Sequence, residues 1–248
     1  MNIAVIGFEA SEAPKQILSQ IEDAVRGKQN LPVIKICFLD GKLDNFSIRR
    51  VIHSYYNAEI VNYNILFIKY DGWNKKQIQR KLCNSFENYN RNWFTESNVI
   101  CVVGNNEWRP DVGIWYQWPT PAERNMPLVN NCISPDVWIE VFFNQDPDHQ
   151  NALDKIDSVQ QDLDGILDVE FVGIALSHTT NTFHMNPFPG APTVLAFGQN
   201  ARPFFAPYII HWNRNYIPQY YIVDWNHYLV LRCGATLNFN TILDVISR

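Results

Sequence analysis

A glycine-rich phosphate loop is missing from this sequence. Neither GxGxxG nor GxxxxGK occurs, and the first apolar run is followed by a single glycine, Gly7, in GFEASEAP. The usual backbone cradles for a nucleotide pyrophosphate are therefore absent, and only a weak phosphate-nest reading survives at that turn. Cysteine is sparse: Cys37, Cys83, Cys101, Cys132 and Cys233 are far apart, odd in number and without a CxxC pair. That spacing signals neither a disulfide framework nor a zinc site and suits a reducing compartment. No run of 18 apolar residues and no cleavable leader pattern occurs. A soluble, intracellular protein of cytoplasm or nucleus, with no membrane partner, is the expectation. A basic excess is also lacking, since 20 Lys and Arg against 25 Asp and Glu give a net charge of -5. This balance speaks against a protein that coats nucleic acid, while leaving room for local basic patches.

What is present is a core-forming chain. At 248 residues, 46% hydrophobic and 18% charged, it can bury one large domain, or a domain with an appended part. The start reads as a strand at 3–8, a helix at 11–26 stopped by Gly27, and a strand at 32–39 with a hairpin turn at Asp40-Gly41. A short helix at 47–56 and a strand at 65–70 follow. Over 74–94, Ile78, Leu82, Phe86, Tyr89 and Trp93 recur every three or four positions, which predicts a helix with one inward face. Its first two turns gather Lys75, Lys76, Arg80 and Lys81, a cluster that suits either a phosphate backbone or a solvated face. A strand is expected at 99–103.

The stretch from Trp108 to Val141 organises the rest. It contains two strand-like runs, VGIWYQ and VWIEVFF, each associated with one acid. Asp111 precedes the first run, directly after Arg109-Pro110, and Glu140 lies inside the second. A carboxylate among Val, Ile, Trp and Phe is costly to desolvate unless a cation satisfies it. Strand alternation puts Trp138, Glu140 and Phe142 on one face, so a solvent-facing Glu140 would bring two aromatic rings out with it. Two readings stand: an acid pair for a hard cation such as Mg2+ or Mn2+, or a turn-capping Asp111 with a half-exposed Glu140.

A helix at 148–164 keeps Ala152, Ile156, Val159 and Leu163 inward, with Lys155 on the edge of that stripe. Lys155 is the only Lys or Arg between Arg124 and Arg202, a span that holds ten acids. Its ammonium is drawn to a carboxylate pair or turns to water. With a strand at 169–176, the central order is helix, three strands, helix, strand, which predicts a sheet with helices on its faces. The region 177–219 holds six of the 14 prolines and is expected to be irregular, with one short strand at 193–197. His178, His184 and His211 there lack ligand spacing and suit ordinary hydrogen bonds. The chain closes with an expected hairpin of strands 220–225 and 228–233, a strand at 236–239 and a terminal helix. Tyr220, Tyr221, Trp225 and Tyr228 could stack bases or pack in a core.

The motifs resemble those of the PD-(D/E)XK nuclease superfamily, in particular its restriction endonuclease-like, Uma-type branch. That pattern has an Arg-Pro-Asp turn, here Arg109-Pro110-Asp111-Val112, and a Pro-Asp-hydrophobic-Glu-Val strand, here running from Pro135 to Val141. A helix bearing a lysine follows, here Ala152-Leu153-Asp154-Lys155-Ile156. The resemblance covers about 75–177 and implies an α/β fold, a mixed central sheet flanked by helices with the core order α-β-β-β-α-β and a further β-rich C-terminal part. It divides the chain into an α/β extension at 1–72, a nuclease-like core at 73–177, and a proline-rich connection with a C-terminal hairpin at 178–248. By this resemblance Asp111 and Glu140, with the carbonyl of Val141, bind Mg2+ (or Mn2+) for hydrolysis of a DNA phosphodiester. Lys75, Lys76, Arg80 and Lys81 would contact the nucleic acid, and the reading admits a homodimer. The sequence departs from the pattern at Phe142, where a lysine is expected two residues after the second acid. Lys155 must reach back to fill that role. If it points away, the resemblance implies a non-catalytic relative that serves binding or assembly.

Overall fold

Short runs rich in Ile, Val and Phe alternate with helices of one apolar stripe, and the result is a pair of six-stranded sheets. In the computed structural model the described residues are 3–6, 14–28, 30–38, 42–118, 120, 133–143, 147–164, 168–176, 208–222 and 227–246. In chain order the elements are β1 (Ile3–Ile6), α1 (Pro14–Val25), β2 (Val33–Phe38), α2 (Phe46–Tyr55), β3 (Ala58–Val61), β4 (Ile65–Lys69), α3 (Trp73–Tyr89), β5 (Phe94–Glu96), β6 (Cys101–Val103), β7 (Asn106–Trp108), β8 (Val112–Trp115), β9 (Val137–Phe143), α4 (Asp148–Leu163), β10 (Glu170–Leu176), β11 (Tyr208–Trp212), β12 (Pro218–Ile222), β13 (Tyr228–Val230), β14 (Thr236–Asn238) and α5 (Phe239–Ile246). They fall into two compact units. One comprises Met1–Gly72, Asn98–Arg109 and Pro119–Ser134, the other Trp73–Ser97, Pro110–Trp118 and Pro135–Arg248.

The first unit orders its strands β1-β2-β4-β3-β7-β6. β2 pairs antiparallel with β4, so the chain does not fold straight back after β2 as the Asp40-Gly41 signal suggested. Helices α1 and α2 close its core with Ile17, Ile21, Ile48 and Ile52 against Ile34, Ile36, Ile60, Leu66 and Ile68. This unit also buries a polar network. Arg49 Nε donates to Glu107 Oε1 at 2.7 Å, and His53 Nε2 lies 2.7 Å from Glu107 Oε2. An Arg109 guanidinium nitrogen lies 3.2 Å from His53 Nδ1. Guanidinium groups only donate, so Nδ1 accepts and the proton of a neutral ring sits on Nε2, facing Glu107. Burial lowers the His53 pKa below its ordinary 6.5, and the hydrogen bond to Glu107 opposes that shift without overcoming it.

A lowered folded-state value means that, below pH 6.5, the unfolded chain takes a proton that the folded unit refuses. Stability contributed by neutral His53 is therefore complete above that pH and declines as the pH falls toward the depressed value. In urea titrations at pH 7.5 and pH 5.5, the wild type should lose more stability on acidification than His53→Gln does. Equal losses in the two proteins would remove His53 as the cause.

The second unit orders its strands β12-β11-β10-β9-β8-β5. Its chain order α3-β5-β8-β9-α4-β10 is the expected core sequence of helix, three strands, helix and strand. The first of those strands differs from the expectation. The segment expected at 99–103 becomes β6 of the other sheet, and β5 pairs with β8 in its place. β9 runs parallel to β10 and antiparallel to β8, so it is central and covered on both faces, as its unbroken burial from Val137 to Phe142 requires. α3 supplies Ile78, Leu82 and Phe86 to the cluster formed by Val112, Ile114, Val137, Ile139 and Val141. Each such fully buried aliphatic side chain contributes roughly 1.5–3 kcal/mol. A β-carbon on Gly113 would come within 2.5 Å of the Trp115 ring, so only glycine lets that indole lie along β8.

The closing segments pair differently from the expected hairpin. β12 is the antiparallel partner of β11, whereas β13 pairs with β14 in a separate two-stranded sheet. The β-rich C-terminal part is present, but its second hairpin partner comes from Tyr208–Trp212. The strand expected at 193–197, together with His178, His184 and Trp225, lies outside the described residues. Cys37, Cys83, Cys101 and Cys233 are all free thiols, and burial raises the Cys83 pKa to about 12. Among the described residues no helix is long and apolar enough to cross a membrane.

Candidate active site

The pairing of β8 with β9 brings the positions of Asp111 and Glu140 opposite each other. The register pairs Val112 with Ile139, Gly113 with Trp138 and Ile114 with Val137. Continued by one residue, it sets Asp111 across from Glu140. Residues so opposed in an antiparallel pair have β-carbons about 4.5–5.5 Å apart. Proline explains why the ladder stops there, because Pro110 has no N–H to donate. The Val141 amide donates to Asp111 Oδ2 at 2.7 Å. The Asp111 carboxylate thus caps the end of β8 at the level of the sheet. In an extended strand the carbonyl of a residue points to the same side as its N–H, so the Val141 carbonyl faces the β8 side as well.

Each acid is held by a lysine from a different helix. Lys155 on α4 brings Nζ to 2.6 Å from Glu140 Oε1, with both side chains 1% exposed. The indole Nε1 of Trp138 donates to the same oxygen at 2.7 Å, and the Lys155 ammonium stands 5.6 Å from the centre of that ring. Lys155 therefore turns inward from the edge of its stripe. On α3, Lys75 Nζ lies 3.1 Å from Asp111 Oδ2, and Gln79 Nε2 donates to Asp111 Oδ1 at 3.1 Å. Neither carboxylate reaches solvent: Asp111 is fully buried, and Glu140 is 1% exposed. Charges so far from water persist only when paired and hydrogen-bonded.

The basic cluster read from the sequence is split by this arrangement. Lys75 is buried and serves the acids, so its side chain does not stand on the surface beside the others. Lys76 and Arg80 are exposed, and Lys81 pairs with Asp244 of α5 at 3.2 Å. Lys75, which the sequence places in the nucleic-acid-binding cluster, and Gln79, which it does not single out, both hold Asp111. The signal was there: 75, 79, 82 and 86 form a continuous stripe at helical spacing, and the first two positions of that stripe are polar. The half-exposed alternative for Glu140 is excluded by its burial. Phe142, where the resemblance expects lysine, is buried with its ring 5.6 Å from that of His149.

A further buried carboxylate lies one strand away from β9. Glu170 opens β10, accepts from the Arg232 amide at 2.9 and 3.0 Å, and meets His211 Nε2 at 2.7 Å. Of the C-terminal aromatic residues, Tyr221 packs against the core cluster and Tyr228 is exposed. Among the described residues no group of three or more His, Cys, Asp or Glu gathers in metal-binding geometry.

No protein-family model matches the chain, and no curated protein matches its sequence. Among solved structures it is similar to the crystal structure of a candidate nuclease belonging to DUF820 from Anabaena variabilis ATCC 29413, with a TM-score of 0.50 and 12% sequence identity. The match covers 76% of this chain and 90% of that one. At that identity the likeness concerns the architecture, and the fold is nuclease-like.

Proposed function

We propose that the chain is a metal-dependent phosphodiesterase of the PD-(D/E)XK type, of its Uma-like branch, that cleaves DNA. The observation that carries this reading is the contact of Lys155 with Glu140, 2.6 Å between buried groups. The departure at Phe142 made a lysine from the following helix a requirement, and that helix delivers one. Donor chemistry supports an ion at the same place. Two carboxylates in register across β8 and β9, with the Val141 backbone turned toward them, are the oxygen donors that Mg2+ or Mn2+ selects. Asp111, Glu140 and the Val141 carbonyl would hold the ion. When bound, it supplies Lewis-acid stabilisation of charge that develops on the scissile phosphate.

The protein groups have separate roles in this reading. Lys155 Nζ orients the attacking water and neutralises charge on the phosphate oxygen nearest Glu140. The Trp138 indole fixes the Glu140 carboxylate, and Gln79 fixes that of Asp111, so neither has to reorient. Lys76 and Arg80, exposed on α3, supply non-specific attraction for a phosphate backbone. A second reading, a nuclease-fold protein without catalysis that serves binding or assembly, is favoured by one observation. Each acid is already covered by an ammonium and shut off from solvent.

The two readings separate on one set of samples. Wild type, Asp111→Asn, Glu140→Gln and Lys155→Ala are titrated with Mn2+ by calorimetry and incubated with supercoiled plasmid. The nuclease reading expects Mn2+ binding by the wild type that weakens in both acid variants, and metal-dependent nicking that all three substitutions lower at least about 100-fold. A wild type that neither binds Mn2+ nor nicks DNA leaves the non-catalytic reading.

A further inference from the structure

Lys75 has no counterpart among the motifs that carry the nuclease resemblance, yet its ammonium lies directly on one acid of the pair. Its side chain is 5% exposed and its ammonium lies 3.1 Å from Asp111 Oδ2, an oxygen that also accepts the Val141 amide at 2.7 Å. Gln79 takes the other oxygen from the same helix, one turn further on. These three donors to Asp111 come from one helical face, positions 75 and 79, and from the neighbouring strand.

We infer that Lys75 is an internal cation for Asp111, holding the place of the divalent ion and setting its affinity by competing for Oδ2. The inference rests on the proposed function, because only an ion shared by Asp111 and Glu140 gives the ammonium something to compete with. Three features argue for it. A carboxylate this deep requires a positive partner, and among the described contacts Lys75 is the ammonium that provides it. The lysine stem is flexible, with three rotatable donors on a compact head, so the ammonium can swing aside while the helix stays in place. Lys155 meanwhile remains on Glu140, so displacement of Lys75 converts a site of two acids and two ammoniums into one of two acids, one ammonium and one divalent ion. The site goes from net neutral to a single positive charge, and the ion enters by exchange for a cation without any change of backbone.

A purely structural lysine and a competing one differ in the sign of their effect. Loss of a structural partner disorders Asp111 and weakens metal binding. Loss of a competitor strengthens it. Calorimetric titration of the full chain with Mn2+, at fixed pH and ionic strength, would compare wild type with Lys75→Met, which keeps the length of the stem, and with Lys75→Gln, which keeps a donor without the charge. Far-UV circular dichroism confirms that each variant is folded before titration. The expected result is tighter Mn2+ binding by both variants, by about 10- to 100-fold, the range by which groups around a metal site ordinarily tune affinity. Wild-type binding that stays unchanged or weakens in a folded variant would overturn the role of Lys75 and leave the nuclease reading intact. Absence of binding in wild type and both variants would overturn the two together. If neither variant folds, the folded Lys75→Arg protein decides. It retains the charge with a bulkier, less readily displaced head, and it should bind Mn2+ more weakly than the wild type; equal binding counts against competition.

Discussion

Replacing Lys155 by methionine is expected to destabilise the second unit by about 3–5 kcal/mol, because it strands the Glu140 carboxylate in a 1% exposed position with the Trp138 indole as its remaining described donor. The reciprocal change, Glu140→Gln, keeps an amide oxygen for the indole but leaves the Lys155 ammonium without its acid. It should cost a similar amount. Combining the two removes both charges and leaves a methionine stem against the Trp138 ring, so the double variant should recover most of the loss. Urea unfolding of the four proteins measures that coupling directly. A pair open to water would give no more than about 1 kcal/mol. A coupling that small would mean Lys155 does not rest on Glu140, and with it the strongest support for a displaced catalytic lysine would go. Stability and chemistry can be read apart here, since the double variant is expected to fold well and yet nick no DNA.

The elements that were legible in the sequence are those whose own pattern settles their partners. β9 and β10 are mostly apolar, almost wholly buried runs about thirty residues apart with an amphipathic helix between them, and such a unit has few ways to fold other than side by side. Lys155 could be placed because its stripe neighbours Ala152, Ile156 and Val159 define the inner face of α4 and it stands at the margin. What stayed hidden depends on long-range pairing. Tyr220 and Tyr228 lie at hairpin distance, but β12 finds its partner in β11, and β13 finds its own in β14. The strand β5 has three residues, Phe94, Thr95 and Glu96, too few to show a period, while the better-patterned Cys101–Val103 belongs to the other sheet.

Lys75 was misread for a different reason. Four basic residues within seven positions look like a surface patch, and charge count outweighed phase. Its helical phase matches Ile78 and Leu82, which are buried, whereas Lys76 and Arg80 fall on the opposite, exposed side of α3. A lysine in phase with a core stripe has to meet an acid inside, and here that acid is Asp111. Phase alone therefore separated a site residue from its three neighbours, and sequence reasoning that ranks a charge by its position on the helix before its local density would have found it.

Glu107→Ala should destabilise the first unit by about 3–5 kcal/mol. The carboxylate is 4% exposed and accepts from two groups at once, Arg49 Nε and the His53 ring, each at 2.7 Å. Its removal leaves the Arg49 guanidinium inside the unit with the carbonyls of Leu43 at 2.9 Å and Asp44 at 2.6 Å, the exposed Asp44 carboxylate at 4.0 Å and the Tyr63 ring as its partners. Arg49→Met alone should cost comparably, because it leaves Glu107 charged and buried with a neutral imidazole as its described partner. Neither loss measures the worth of the pair, since each includes the cost of abandoning the other charge. The double variant Arg49→Met, Glu107→Gln retains an acceptor for His53 and should lie well above the sum of the single losses. The pH response provides an independent check on the same network. Without Glu107 the ring loses the one hydrogen bond that holds its pKa up against burial and the two guanidinium charges, so His53 is driven still further toward the neutral form. In Glu107→Ala the acid-induced loss of stability should then continue to lower pH than in the wild type, provided the unit remains folded there. A profile shifted the other way would mean that burial does not dominate the titration of His53.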